Sequence, residues 1–139
     1  MTEQIGKFLG KQLGNYTLTR MLGVGGFAEV YLGIHKHLET QAAIKVLQAQ
    51  LSKADQQGFI AEARTVARLR HPHIVHILEF GIEDDTPYLV MNYAAHGTLR
   101  HHFQRGVPLS PEKFLPYLKQ IASALQYAHD QSLIHRDIK

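Results

Sequence analysis

The sequence predicts an α+β fold in two unequal parts. Short runs of apolar and β-branched residues dominate positions 16–93, and one helical pattern interrupts them. From position 97 onward the patterns are mainly helical. Strands that are followed by helices are typical of folds in which a sheet and a helical layer are segregated. The chain has 139 residues, 45% of them hydrophobic, which is enough for a modest core.

Five segments carry strand signals, beginning with a hairpin. Two of the runs flank the turn 23–26, which contains three glycines, and this arrangement predicts a hairpin. The acidic turn 81–86 separates the last two runs. Residues 1–14, which also carry three glycines, are predicted to form a loosely structured leader. The predicted strands are 16–22, 28–34, 41–47, 74–80 and 87–93.

The first predicted helix covers residues 52–69. Ser52 is followed three residues later by Asp55, which resembles a capping box at a helix start. The helix ends before Pro72, because the residue that precedes a proline avoids the α region. Phe59 and Ala63 then fall on one apolar face, with Glu62 beside them.

The remaining elements follow position 95. A short helical piece is predicted at 97–106. A long helix is predicted to begin at Ser110, with Pro111 at its first position. Pro116 is expected to kink this helix or to delay its regular part, since an interior proline costs roughly 3 kcal/mol. A short strand is predicted at 133–135.

Composition excludes several classes of function. The net charge is only +3 and no dense Lys/Arg run concentrates it, so we expect no nucleic-acid partner. The absence of cysteine excludes disulfides and cysteine-ligated metals. The ten histidines show no metal-binding spacing, and we expect no metal site among them. No apolar run reaches the ~20 residues of a membrane span, and no export signal is visible, so a cytoplasmic location is the default expectation.

Segment 22–30 (LGVGGFAEV) is the first candidate for chemistry. A glycine-rich hairpin lets backbone N–H groups approach phosphate oxygens without Cβ atoms between them. An ordinary hairpin turn explains the same glycines, and this alternative stays open from the segment alone. A dinucleotide-binding turn is less attractive, because that motif opens a helix whereas a strand is predicted here.

Two charged residues are candidates to act with this hairpin. Lys45 lies on a predicted strand, where its ammonium can hold nucleotide phosphates or can simply face solvent. Glu62 is the best anion to orient that lysine, because it lies beside the apolar face of the predicted helix 52–69. A solvated glutamate fits the same periodicity, and the pattern does not choose between the two.

The sequence ends in His-Arg-Asp-Ile-Lys, residues 135–139. The carboxylate of Asp137 in a loop can accept or orient a hydroxyl proton, and Lys139 can neutralise charge on a transferring phosphoryl group. A surface ion pair between Arg136 and Asp137, worth less than about 1 kcal/mol, is the alternative.

Taken together, these motifs resemble the protein kinase family. The glycine-rich hairpin, strand lysine, helical glutamate, His-Pro-x-Ile-Val segment, long helix and His-Arg-Asp-Ile-Lys occur in the order typical of that family, from about residue 16 to 139. The sequence is most similar to bacterial serine/threonine kinases of the eukaryotic type. The resemblance implies a leader at 1–14, a complete ATP-binding small lobe at 15–94 with a five-stranded antiparallel sheet and one helix, and the start of the helical large lobe at 95–139.

The resemblance also implies roles for individual residues. Lys45, paired with Glu62, is expected to bind the α- and β-phosphates of ATP. Asp137 is expected to orient the hydroxyl of a protein serine or threonine, and Lys139 to approach the γ-phosphate. The remaining expected contacts to ATP are Leu22, Val30 and Ala43 around adenine, Gly23, Gly25 and Gly26 over the phosphates, Met91 at the back of the pocket, and backbone groups of Asn92 and Ala94.

Two departures from the family pattern affect these expectations. Ala28 stands where the hairpin has its third glycine, and a positive φ there would cost roughly 1–2 kcal/mol. The residues that hold Mg²⁺ in the family are expected beyond residue 139. We therefore expect this 139-residue chain by itself to be inactive, and the alternative function is an inactive or truncated kinase that only binds nucleotide or a partner protein.

Overall fold

A computed structural model describes residues 5–48, 52–136 and 138, and it confirms the α+β class. The described chain divides into two compact units, Met1–Arg68 with His76–Ala94 and Leu69–Val75 with Ala95–Lys139. The strands are β1 Gln12–Leu13, β2 Tyr16–Val24, β3 Ala28–His35, β4 Gln41–Leu47, β5 Ile77–Glu83 and β6 Thr86–Met91. The helices are α1 Lys53–Ala67, α2 Leu99–His102 and α3 Pro111–Asp130.

The sheet of the first unit has six strands in the order β1-β2-β3-β4-β6-β5, and every neighbouring pair is antiparallel. The prediction of five strands was therefore wrong by one. The extra strand, β1, comes from the segment that was predicted to be a loose leader. Gly14 has φ +55° and turns the chain so that Gln12 pairs with Thr17. Glycine in this segment makes a tight turn, which the sequence pattern alone does not distinguish from flexibility.

The two faces of the sheet differ because side chains alternate along each strand. Ile44, which is fully buried, lies between Tyr31 of β3 and Val90 of β6, and these three residues share one face. The core cluster on this side is Leu13, Tyr16, Leu18, Tyr31, Ala42, Ile44, Val46, Tyr88 and Val90, with Phe8 and Met21 packed against it.

Helix α1 begins as predicted. The Ser52 hydroxyl accepts a hydrogen bond of 3.2 Å from the backbone N–H of Asp55, which is half of the predicted capping box. Ala63 is buried, and the ring of Phe59 meets Phe80 of β5 edge-on with centroids 6.4 Å apart. Strand β5 begins three residues later than predicted, because the preceding segment forms a turn in which the Ile74 N–H donates to the His71 carbonyl.

The second unit is built around α3. Ser110 precedes the helix and Pro111 opens it, as predicted, and Pro116 lies inside it. The predicted strand at 133–135 is not present; instead, the Leu133 N–H donates to the Ala128 carbonyl at the end of α3. A strand there would need a pairing partner, and none of the described strands pairs with it. Among the described residues, no helix is long and apolar enough to cross a membrane.

Candidate functional site

The glycine-rich segment forms the predicted hairpin between β2 and β3. Gly23 pairs with Val30, and Val24 pairs with Glu29. The Gly25 N–H donates to the Ala28 carbonyl at 2.8 Å and closes the turn. A register shift between Met21 and Gly23 marks a bulge that contains the partly buried Leu22. The tip of the hairpin is exposed to solvent.

The backbone conformation of the hairpin does not require glycine at its three glycine positions. Gly23, Gly25 and Gly26 are not among the glycines with positive φ. A Cβ atom built on Gly23 or Gly26 meets no atom within 4 Å. Ala28 is also not among the residues with positive φ, so the strain considered for this position does not arise. Nothing in the described chain fills the space beside these two glycines, and that space is accessible to a ligand.

Four of the predicted site residues share one face of the sheet. Val30 of β3 pairs directly with Lys45 of β4, and Ala43, two residues before Lys45, pairs with Met91 at the end of β6. Directly paired residues, and residues two apart on a strand, point to the same side. The face is opposite to the one that carries Tyr31 and the core cluster. It therefore places an ammonium group beside apolar side chains, next to the glycine-rich hairpin.

Glu62 is not joined to this group of residues. It lies on α1 with its side chain exposed, and no ion pair within 4.0 Å links it to Lys45, both being described residues. The Lys45 side chain is partly exposed at its place on β4. The pairing of Lys45 with Glu62 remains a prediction.

The segment 92–94 after β6, which we call the hinge, carries the two residues whose backbone groups are predicted to contact ATP, Asn92 and Ala94. The Asn92 N–H donates to the His76 carbonyl at 3.0 Å, so that the backbone acceptor of Asn92 is the group left for a ligand. Ala94 is exposed. Between them, the hydroxyl of Tyr93 accepts a hydrogen bond of 3.0 Å from the guanidinium of Arg20 on β2. No signal in the sequence indicates this link, because the two residues are separated by 73 positions and neither belongs to a motif.

The two predicted residues of phosphoryl transfer, Asp137 and Lys139, lie outside the described residues. Their neighbour Arg136 is described, is exposed and has φ +65°. A positive φ is uncommon for a residue other than glycine and occurs mostly in turns.

A buried carboxylate beside the hairpin was also missed. Glu29 of β3 is only 3% exposed, and its two oxygens accept hydrogen bonds from the Gly6 N–H, at 3.2 Å, and from the Tyr31 hydroxyl. Burial, with the Glu29 hydrogen bond as a second cause, raises the pKa of Tyr31. An acidic residue between the apolar Ala28 and Val30 was the available signal, since charged groups are rarely buried without a partner.

Comparisons with known proteins agree with this architecture. The family model described as "Protein kinase domain" matches residues 16–139. Serine/threonine-protein kinase PrkC of Bacillus subtilis is 38% identical over 134 residues, which cover 94% of this chain and 21% of PrkC. PknH of Mycobacterium tuberculosis is 37% identical over 133 residues, with 94% of this chain and 21% of PknH covered.

The fold is likewise that of a solved kinase domain. A crystal structure of a mutant Mycobacterium tuberculosis PknI kinase domain superposes with a TM-score of 0.80 at 31% identity, covering 94% of this chain and 54% of the PknI chain. The chain therefore belongs to the protein kinase family, and its homologues are serine/threonine kinases. It spans about a fifth of the length of these curated relatives.

Proposed function

We propose that this chain belongs to an ATP-dependent serine/threonine protein kinase, which transfers the γ-phosphoryl group of ATP to hydroxyl groups of proteins. The observation that carries the proposal is the shared face of Val30, Ala43, Lys45 and Met91 beside a glycine-rich hairpin with open space. In this proposal residues 15–94 form the ATP-binding small lobe and residues 95–139 begin the large lobe. We propose a cytoplasmic location for this kinase portion.

Adenine is proposed to bind the apolar part of this face. Leu22, Val30 and Ala43 would contact the two faces of the base, with Met91 at the back. Asn92 would offer its carbonyl, because its N–H is already bonded to His76, and Ala94 would offer a second backbone group. Apolar contact area combined with a few backbone hydrogen bonds is the usual composition of such pockets.

The phosphates are proposed to lie between the hairpin and Lys45. Gly23, Gly25 and Gly26 would cover the phosphates, because no Cβ atom keeps their backbone away from the phosphate oxygens. The N–H of Gly25 is already bonded to the Ala28 carbonyl, so Gly25 would hold the turn in place over them. The Lys45 ammonium would bind the α- and β-phosphates as a point charge. Glu62 would hold that ammonium in an ion pair in the nucleotide-bound protein.

The transfer step is proposed to use Asp137 and Lys139. Asp137 would accept the proton of the attacking serine or threonine hydroxyl, and Lys139 would neutralise charge on the γ-phosphoryl group. Mg²⁺, when bound with ATP, neutralises phosphate charge. The described residues contain no group of three or more His, Cys, Asp or Glu side chains able to hold a metal, so no residue of this part of the chain is assigned to the ion.

The first test concerns nucleotide binding by the 139-residue chain. Lys45→Met is expected to weaken ATP binding at least about tenfold, because a hydrogen bond to a charged group contributes roughly 1.5–3 kcal/mol. Lys53→Met, at the exposed start of α1, is the matched control and should bind like the unmodified chain. Equal affinities of the two variants in a calorimetric titration would contradict the assignment of Lys45.

A second test separates ligand binding from folding. Gly26→Ala is expected to leave the free energy of unfolding unchanged or slightly raised, because its Cβ would enter open space. The same methyl group would stand between the backbone and a phosphate, and we expect ATP binding to weaken about three- to tenfold. Gly58→Ala, on α1 and equally uncrowded, is the control. Unchanged ATP affinity in Gly26→Ala would contradict the phosphate assignment of the hairpin.

The catalytic part of the proposal is tested in a longer protein that carries a complete kinase domain. With Asp137 unmodified, transfer of radiolabelled γ-phosphate to a protein serine or threonine is expected. Asp137→Asn is expected to lower the rate of this transfer at least about a hundredfold. Retained transfer in Asp137→Asn would remove Asp137 from the proposed role, while ATP binding without transfer in the longer protein would favour the binding-only alternative.

A further inference from the structure

Glu29 is a buried charged group that the proposed chemistry does not use. It lies on β3, one residue before Val30, and faces the opposite side of the sheet from the nucleotide. A carboxylate buried in apolar surroundings is strongly destabilising unless hydrogen-bond donors satisfy its oxygens. The groups that donate hydrogen bonds to Glu29 therefore show which parts of the chain stabilise it in its buried position.

Those donors come from both β3 and the segment 5–11, which we call the N-terminal strap. The Gly6 N–H donates to one carboxylate oxygen at 3.2 Å, and the Tyr31 hydroxyl donates to the other. Gly6, with φ +82°, adopts a conformation that side chains rarely allow. The strap thus satisfies one oxygen of the carboxylate through Gly6.

The far end of the strap is fixed to the sheet. The Gly10 N–H donates to the Leu18 carbonyl at 2.8 Å, and the Leu18 N–H donates to the Lys11 carbonyl at 2.9 Å. The Phe8 ring meets Tyr31 edge-on, with centroids 6.3 Å apart. Backbone hydrogen bonds hold the strap on β2 at this end, whereas Glu29 on β3 holds the other. The strap therefore joins the two strands that form the glycine-rich hairpin.

Glu29 lies at the base of the glycine-rich hairpin, next to its exposed turn. Glu29 pairs with Val24, the last residue of β2 before the turn. The turn beyond it is solvent-exposed, and Phe27 at its tip is 88% exposed. An exposed turn takes its position from the strands at its base, because few packing contacts hold it elsewhere.

We propose that Glu29 is a positioning residue that anchors the N-terminal strap and thereby holds the glycine-rich hairpin over the phosphates of ATP. The inference rests on the proposed nucleotide site for its ligand, and on the described hydrogen bonds for its mechanism. A strap that fails to dock leaves the base of the hairpin free to shift. Contacts to phosphates then weaken, while contacts between adenine and the sheet persist.

The experiment compares ATP with adenosine, because only ATP carries the phosphates. In the 139-residue chain, Glu29→Ala is expected to weaken ATP binding about fivefold and adenosine binding less than about twofold. Glu29→Gln is expected to recover most of the ATP affinity, since its amide oxygen still accepts from Gly6. Glu83→Ala is the matched control, because the Glu83 carboxylate accepts from the Gly14 N–H at 3.0 Å but is exposed. That variant should leave the ratio of the two affinities unchanged.

The same variants separate this inference from the proposed function. An equal loss of ATP and adenosine affinity in Glu29→Ala, or no loss at all, would overturn the positioning role. If the unmodified chain binds neither ligand, the proposed function of this chain fails. Hydrogen exchange then tests whether Glu29 anchors the strap and the hairpin. Faster exchange of the amides at 23–28 in Glu29→Ala, with β5 and β6 unchanged, supports the anchoring, whereas uniformly faster exchange or no change contradicts it.

Discussion

Apolar side chains are buried in the sheet of the first unit but exposed along helix α3 of the second unit. In the sheet, Ile44, Tyr31 and Val90 are fully shielded from solvent. Along α3, no residue is buried, and Leu118 and Ile121 keep 51% and 44% of their surface exposed. The free energy of folding therefore comes mainly from the unit that carries the proposed nucleotide site. Apolar burial, rather than helix propensity, is the larger source of stability.

The largest expected effect is a difference between two truncations. Ile44→Ala should lower the free energy of unfolding by about 2–4 kcal/mol, because it removes a packed side chain and leaves a cavity. Leu118→Ala, on the exposed side of α3, should change it by less than about 1 kcal/mol. Urea denaturation followed by circular dichroism measures both values. Similar losses in the two variants would show that α3 is as well packed as the sheet.

A smaller contrast concerns two glycines of the first unit. A Cβ on Gly33 of β3 would lie 2.6 Å from Ile44 and 3.2 Å from Tyr16, so Gly33→Ala should destabilise the sheet by about 1–3 kcal/mol. Gly58 of α1 has open space, and Gly58→Ala should stabilise the chain by up to about 1 kcal/mol. Thermal unfolding of both variants checks the opposite signs. A destabilising Gly58→Ala would mean that α1 is packed more closely than described.

Alkaline pH should weaken the first unit in particular. Burial raises the pKa values of Tyr16, Tyr31 and Tyr88 above the ordinary value near 10. The folded unit then holds these protons more tightly than the unfolded chain. The contribution of the three tyrosines to the free energy of unfolding is therefore complete below about pH 10 and is lost as pH rises through the raised pKa values. Urea midpoints measured on both sides of pH ~10 should fall at the higher pH. Tyr31→Phe should reduce this fall. A fall in the urea midpoint as large as that of the unmodified chain would contradict the role of Tyr31.

The smallest expected effect is local to the hinge. Tyr93→Phe removes the acceptor of the Arg20 hydrogen bond, which is an exposed contact. We expect a loss of about 0.5 kcal/mol or less and a weakening of ATP binding by about twofold. Arg20→Met combined with Tyr93→Phe in a double-mutant cycle measures the coupling, because methionine has no donor for the Tyr93 hydroxyl. A coupling energy of zero would show that the contact does not order the hinge.

Local signals in the sequence predicted much of the fold. Strand β4 has the predicted bounds, because its apolar run is limited by polar residues and a turn. The start of α1 follows from Ser52 and Asp55, which act within three residues of each other. Lys45 was identified as a candidate from its place on that strand, and its pairing with Val30 follows from the hairpin and the next strand.

Features that depend on distant contacts escaped prediction. Strand β1 and the strap were interpreted as a loose leader, because glycines that make turns and glycines that make flexible segments look alike in sequence. Glu29 is satisfied by Gly6, which lies 23 positions away. The predicted strand at 133–135 lacked a described partner, and a strand is stable only when it is paired.

Nucleotide binding by the first unit is tested most directly by a hydrogen-exchange footprint. Addition of ATP to the 139-residue chain should slow exchange at the glycine-rich hairpin, at β4 around Lys45 and at residues 91–94, with adenosine protecting mainly the last of these. Helix α3 should remain unchanged. Protection confined to α3, or none anywhere at saturating ATP, would contradict nucleotide binding by the first unit.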